Sequence, residues 1–167
     1  MKSMLILLVS AVLAGCATTP QEQVDITGRW HCTLELQLPT QKEDMTADGE
    51  PLPKWLNYSF NVIAGYNPDQ SFSVSTDIRI IGKNNKEYMA MQVVNQGTWV
   101  MRNNVLFESI DQSSAKALSD ATNAYMDEMT KFLPKRADTL NWKIKQQGNG
   151  KISKSGSGTS YTCERQN

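Results

Sequence analysis

Hydrophobic residues fall on alternate positions over much of the chain. Trp30, Cys32, Leu34, Leu36 and Leu38 alternate with His31, Thr33, Glu35 and Gln37. Period two sustained over nine residues predicts a strand with one buried and one wet face. Residues 39–53 are acidic and carry Gly and Pro, which predicts a long surface loop. Alternation returns at Tyr58-Phe60-Val62 and at Phe72-Val74-Thr76-Ile78-Ile80, with residues 65–69 as a hairpin turn between them. Residues 82–85 predict another turn, followed by a strand over 88–94. Strands over 98–102 and 105–109 flank Asn103-Asn104, residues that tolerate left-handed backbone. After Ser113-Ser114, a pair able to cap a helix, the period changes. Leu118, Ala121, Tyr125, Met129 and Phe132 recur at three and four until Pro134. This predicts one amphipathic helix of about twenty residues, packed by its apolar stripe on the sheet. Leu140-Trp142-Ile144, a turn at 148–150 and a closing strand through Tyr161 and Cys163 complete the pattern. The expected fold is mainly β with one long α-helix, its seven or eight antiparallel strands forming a small barrel or a sandwich.

The N-terminus follows a different rule. Lys2 precedes an apolar run, Met4-Leu5-Ile6-Leu7-Leu8-Val9, that continues through Ala11-Val12-Leu13. The run is far short of the roughly 20 apolar residues that span a bilayer. A basic head, a short apolar body and a small-residue end describe a cleavable secretion signal. That end, Leu13-Ala14-Gly15-Cys16, resembles the lipobox of bacterial lipoproteins at every position. The resemblance implies cleavage before Cys16, a diacylglyceryl group on its thiol and an acylated amine. Two or more acyl chains anchor a protein durably where one does not. Ala17 stands where the family's inner-membrane retention signal has Asp. The implied address is therefore the outer membrane, lipid-anchored and facing the periplasm. The expected division is a signal peptide over 1–15, a lipidated N-terminus and polar tether over 16–27, and a single β-rich domain over 28–167.

Charge and cysteine content refine this picture. Seventeen basic residues balance seventeen acidic ones, and cleavage removes only Lys2, leaving the mature chain near −1. No basic stripe exists to attract nucleic acid. With Cys16 assigned to lipid, Cys32 and Cys163 remain in an oxidising compartment, which predicts a disulfide between the first and last strands. The alternative is two unpaired buried thiols. Strands joined in this way are neighbours, as in a barrel that limits exposed edges.

Gly28-Arg29-Trp30 resembles the Gly-x-Trp of lipocalin-type barrels. Gly97-Thr98-Trp99 is similar to the glycine-tryptophan strand openings of small bacterial lipocalin-like lipoproteins. That resemblance implies a lipocalin-like shape and leaves a small apolar ligand open. Ser157-Gly158-Thr159-Ser160-Tyr161 resembles the Ser-Gly-x-x-Tyr signature of periplasmic lysozyme inhibitors, where the serine and tyrosine engage the lysozyme cleft. Trp30, Trp99, Ser157 and Tyr161 are accordingly the candidate contacts for a ligand or partner.

Catalytic patterns do not assemble. His31 is the one histidine and sits on the expected wet face of the first strand, so neither a metal cluster nor a Ser-His-acid triad is expected. Asp127-Glu128 are adjacent on the expected helix and diverge. The glycines at 148, 150, 156 and 158 lack the lysine and the strand-to-helix setting of a phosphate loop. The expectation is a non-enzymatic, cofactor-free envelope lipoprotein that binds a protein or cell-wall partner. A lipocalin-like carrier or a lysozyme inhibitor is the alternative.

Overall fold

The computed structural model describes residues 23–41, 46, 49–82 and 85–167. The expected signal peptide over 1–15 and Cys16 lie outside the described residues. Eight antiparallel strands follow one another around a closed barrel in chain order: β1 (Gly28–Pro39), β2 (Trp55–Tyr66), β3 (Ser71–Ile81), β4 (Glu87–Arg102), β5 (Val105–Ala117), β6 (Thr139–Gly148), β7 (Lys151–Gly156) and β8 (Thr159–Gln166). Each period-two segment of the sequence becomes one of these strands, because only that period puts every second side chain on one face. Closure excludes the sandwich. It is made by β8 against β1, with Cys32 opposite Cys163 and the two sulfurs joined in a disulfide.

The inward set is largely apolar and the outward set largely polar. Along β2 and β3 the outward positions include Asn57, Ser59, Asn61, Ser73, Ser75, Asp77 and Arg79, with Trp55, Ile63 and Ile81 the apolar exceptions. A barrel that crosses a bilayer shows the reverse polarity. The inward residues Trp30, Cys32, Val62, Ala64, Tyr66, Phe72, Val74, Leu106, Ile110, Ile144, Ile152 and Cys163 form one packed core in the half of the barrel that holds the chain's entry. Gln23 to Thr27 lie across that end as a plug. Ile26 is buried, the Val24 amide donates to Asn104 Oδ1 at 2.9 Å, and the Trp30 indole donates to the Ile26 carbonyl at 2.7 Å. The Arg165 guanidinium lies 4.6 Å over the Trp30 ring and donates to the carbonyls of Asp25 and Thr27. The polar segment expected as a tether thus ends, from Gln23 onward, inside the fold.

Two features of the elements differ from the sequence expectation. The segments 88–94 and 98–102 are one strand, β4, whose pairing to β5 shifts register between Gln96 and Gly97. A Cβ on Gly97 would stand 1.9 Å from the Ser109 carbonyl oxygen, so the bulge needs glycine there. Gly97 is therefore mid-strand and opens nothing. The expected twenty-residue helix is also not there. Ser113 to Ala117 extend β5, with Ser113, Ala115 and Ala117 paired to Asn95, Val93 and Met91. What remains is two single turns, α1 (Asp120–Asn123) and α2 (Met126–Met129), and a 3-10 turn (Thr130–Phe132). The reason is competition for β4: its backbone offers a ladder to any partner that alternates, and Ser-Ser-Ala-Lys-Ala alternates as well as it coils. The ladder is then continued by side chain, since Thr122 is buried and its hydroxyl accepts from the Ala90 amide at 2.8 Å.

Candidate ligand site

The strands differ in length, and this opens one end of the barrel. β8 pairs with β1 only at Arg29–Thr33, and β6 pairs with β5 only at Val105–Ser109. Beyond those points the wall consists of β1 to β5 alone. Its concave face still carries inward apolar residues, but their burial falls toward the opening. On β1, Trp30 and Cys32 are 2% exposed, whereas Leu36 and Leu38 reach 38% and 45%. On β2, Val62, Ala64 and Tyr66 are buried while Tyr58 and Phe60 are half-buried.

A cavity of about 430 Å³ occupies this mouth, within the roughly 300–1,000 Å³ typical of small-molecule sites. Leu56, Tyr58 and Phe60 of β2, Ile78 and Ile80 of β3, and Met89 of β4 form its floor. Leu52, Tyr88, and Tyr125 and Met129 of the helical turns form its sides. The residues that the period-three-and-four stripe marked for packing on the sheet divide here: Tyr125 and Met129 line the cavity, while Leu118 and Phe132 remain exposed. No lining residue carries a charge. The cavity can enclose an aliphatic or aromatic group with the phenols of Tyr58, Tyr88 and Tyr125 as its polar atoms.

Deeper in, the closed half contains a charged cluster. Lys154 Nζ lies 2.5 Å from Glu108 Oε1, with both side chains buried. The Tyr66 hydroxyl donates to the same Glu108 oxygen at 2.5 Å and accepts from Lys154 at 2.8 Å. The Trp142 indole donates to Glu108 Oε2 at 2.9 Å, and Lys154 sits 4.6 Å over the Trp142 ring. Burial holds the Tyr66 phenol well above its ordinary value, and the adjacent Glu108 carboxylate and its hydrogen bond add to the effect. Burial, with Glu108 second, likewise raises Tyr161. Among the described residues, every buried side-chain nitrogen and oxygen has a partner. The cluster is thus a hydrogen-bonded ion pair in the barrel's interior.

This cluster was not read from the sequence, though a signal exists. Glu108 falls between inward Leu106 and Ile110, and Lys154 two residues after inward Ile152. Opposite charges that keep the phase of two apolar alternations are candidates for a buried pair.

The four contact candidates do not converge. Trp30 is buried under the plug. Trp99 is half-buried near the closed end, edge-on to Tyr66 at 5.8 Å, with its indole donating to the Asn67 carbonyl at 3.2 Å. Ser157 lies exposed in the two-residue turn between β7 and β8, where it and Gly158 both have positive φ. The Tyr161 ring stacks edge-on to Trp142 at 5.9 Å. His31 lies on the outer face of β1, its Nε2 2.5 Å from Asn61 Oδ1. Asp127 and Glu128 are exposed, and Glu128 pairs with Lys131 at 2.6 Å. Among the described residues, no three His, Cys, Asp or Glu side chains gather as a metal site. No known family model and no curated protein sequence matches this chain.

Proposed function

We propose that this protein is a lipid-anchored lipoprotein of the outer membrane whose lipocalin-like barrel carries a small apolar ligand, without catalysis. The single observation that carries the carrier reading is the uncharged cavity at the barrel mouth, lined by Leu, Ile, Met, Phe and Tyr. Aliphatic and aromatic side chains left half-buried on a concave face gain from any apolar group that displaces water from them. The lipobox at Leu13 to Cys16 supports the anchor. The lysozyme-inhibitor alternative has less support, because Ser157 stands on a hairpin tip while Tyr161 is spent on Trp142.

Two experiments test the two halves. Cells fed labelled palmitate incorporate it into the full chain, and Cys16→Ser abolishes incorporation; equal labelling of both forms ends the anchor. For the ligand, residues 17–167 are exported behind an ordinary signal peptide, purified without detergent and weighed by native mass spectrometry. A stoichiometric extra mass that disappears on denaturation supports a carrier. A bare mass, together with no binding of the uncharged fluorophore N-phenyl-1-naphthylamine, rejects it.

A further inference from the structure

The exposed large hydrophobic residues are not scattered over the surface. Among the described residues they are Leu36, Leu38, Trp55, Leu118 and Phe132, the last 75% exposed. Isolated exposed apolar side chains are ordinary, but a group of them at one place marks an interaction surface. All five sit on the elements that frame the mouth: the end of β1, the start of β2, the link after β5 and the 3-10 turn. The opposite end shows the contrary arrangement, with Ile26 of the plug and Trp30 beneath it both buried.

We propose that this rim is a bilayer-docking face and that the cavity behind it receives one acyl chain of a membrane lipid. Three observations favour a lipid surface. The exposed aromatics have exposed cations beside them in the chain, Lys54 before Trp55 and Lys135-Arg136 shortly after Phe132. Aromatic rings at headgroup depth with long basic side chains reaching outward are the pattern of a membrane interface. The rim also adjoins the cavity in the chain, Trp55 preceding the lining residue Leu56 and Phe132 following Met129 by three, so a hydrocarbon chain entering there has a short path from bilayer to lumen.

The third observation is reach. Six residues lie between Cys16 and Gln23, where the described chain begins, and the seven steps this makes span about 25 Å when extended. From Gly28 to Leu38, the ten steps along β1 cover about 33 Å along the strand, or about 25 Å along the axis of a barrel whose strands tilt by about 40°. An anchored chain can therefore lay its mouth on the bilayer that holds its anchor. The acyl-chain half of this proposal rests on the carrier reading; the docking half does not.

The test uses the full chain in cells that make and process it. Phe132→p-benzoylphenylalanine and, separately, Leu38→p-benzoylphenylalanine place a photoreactive group on the rim. Gln166→p-benzoylphenylalanine places it at the closed end. After illumination the protein is purified under denaturing conditions and weighed. Docking predicts adducts of phospholipid mass at positions 38 and 132 at least several-fold above those at 166. Equal adducts at all three positions, protein adducts at the rim (a second copy of this chain included), or no adduct there overturn it.

Ile78→Trp, which fills the cavity floor, separates the two halves. It should leave the Phe132 adduct in place while abolishing N-phenyl-1-naphthylamine binding by the detergent-free protein. If the unfilled protein binds no fluorophore while the rim still cross-links to lipid, the acyl-chain half is overturned and docking stands.

Discussion

At the scale of single residues, the deciding group is Lys154. An ammonium inside a barrel is tolerable only because Glu108 lies 2.5 Å away and the rings of Tyr66 and Trp142 flank it. Removing one partner of a buried pair leaves the other charge uncompensated, which costs about 3–5 kcal/mol. Lys154→Met should lower stability by that order in urea unfolding. Adding Glu108→Gln should recover much of the loss, because the amide removes the charge while its oxygen accepts from the Trp142 indole and its NH2 donates to the Tyr66 hydroxyl. Failure of the second substitution to rescue would show that Lys154 acts through packing alone. Tyr66 adds a pH dependence whose sign is fixed. Its folded-state pKa lies well above the ordinary 10.0, so above about pH 10 the unfolded chain loses this proton while the folded one keeps it. Stability contributed by Tyr66 is present below pH 10 and declines as the pH rises further. The decline should be shallower in Tyr66→Phe, as measured by unfolding midpoints between pH 8 and 11.

At the scale of elements, the legible part was whatever alternates. Most strands announce themselves by period two, though the short β7 was not read from the sequence and β4 was read as two strands, and Asn103-Asn104, with both φ values positive, makes the turn its composition suggested. The illegible part was where two periods overlap. Residues 113–117 fit a helix start and a strand end equally, and the free edge of β4 decided for the strand. Thr122, not Ala121, is the buried residue of α1, because its hydroxyl meets the Ala90 amide and no apolar stripe can signal that. The cavity was illegible for a related reason. Alternation marks Leu36 and Ile80 as inward, but not whether an opposite wall exists to cover them. The glycine at the β4 bulge gives the test at this scale. Gly97→Ala would drive a methyl into the Ser109 carbonyl, and overpacking of this kind typically costs about 1–3 kcal/mol. The expected result is a lowered thermal midpoint with the fold retained; an unchanged midpoint would mean that β4 and β5 separate freely at Gly97.

At the scale of the whole molecule, the barrel is two unlike halves sharing five strands. One half is closed by eight strands, a plug, a buried ion pair and a disulfide. The other has a wall of β1 to β5 and a cavity in place of a core. The disulfide lies on the β1–β8 seam, the closure that joins the two ends of the chain across a sequence separation of 131. A loop of that length restricts the unfolded chain far more than the folded one, which the loop-entropy account values at about 5 kcal/mol, with measured losses commonly 2–5 kcal/mol. Cys32→Ser with Cys163→Ser should therefore lower stability by a few kcal/mol. It should also steepen the dependence on denaturant, because an unlooped chain exposes more surface when it unfolds. The cavity lining contains neither cysteine. Fluorophore binding at the mouth should therefore survive the double substitution wherever the barrel remains folded. Loss of binding in folded, disulfide-free protein would mean instead that the seam at Cys32 sets the shape of the mouth from the far half of β1.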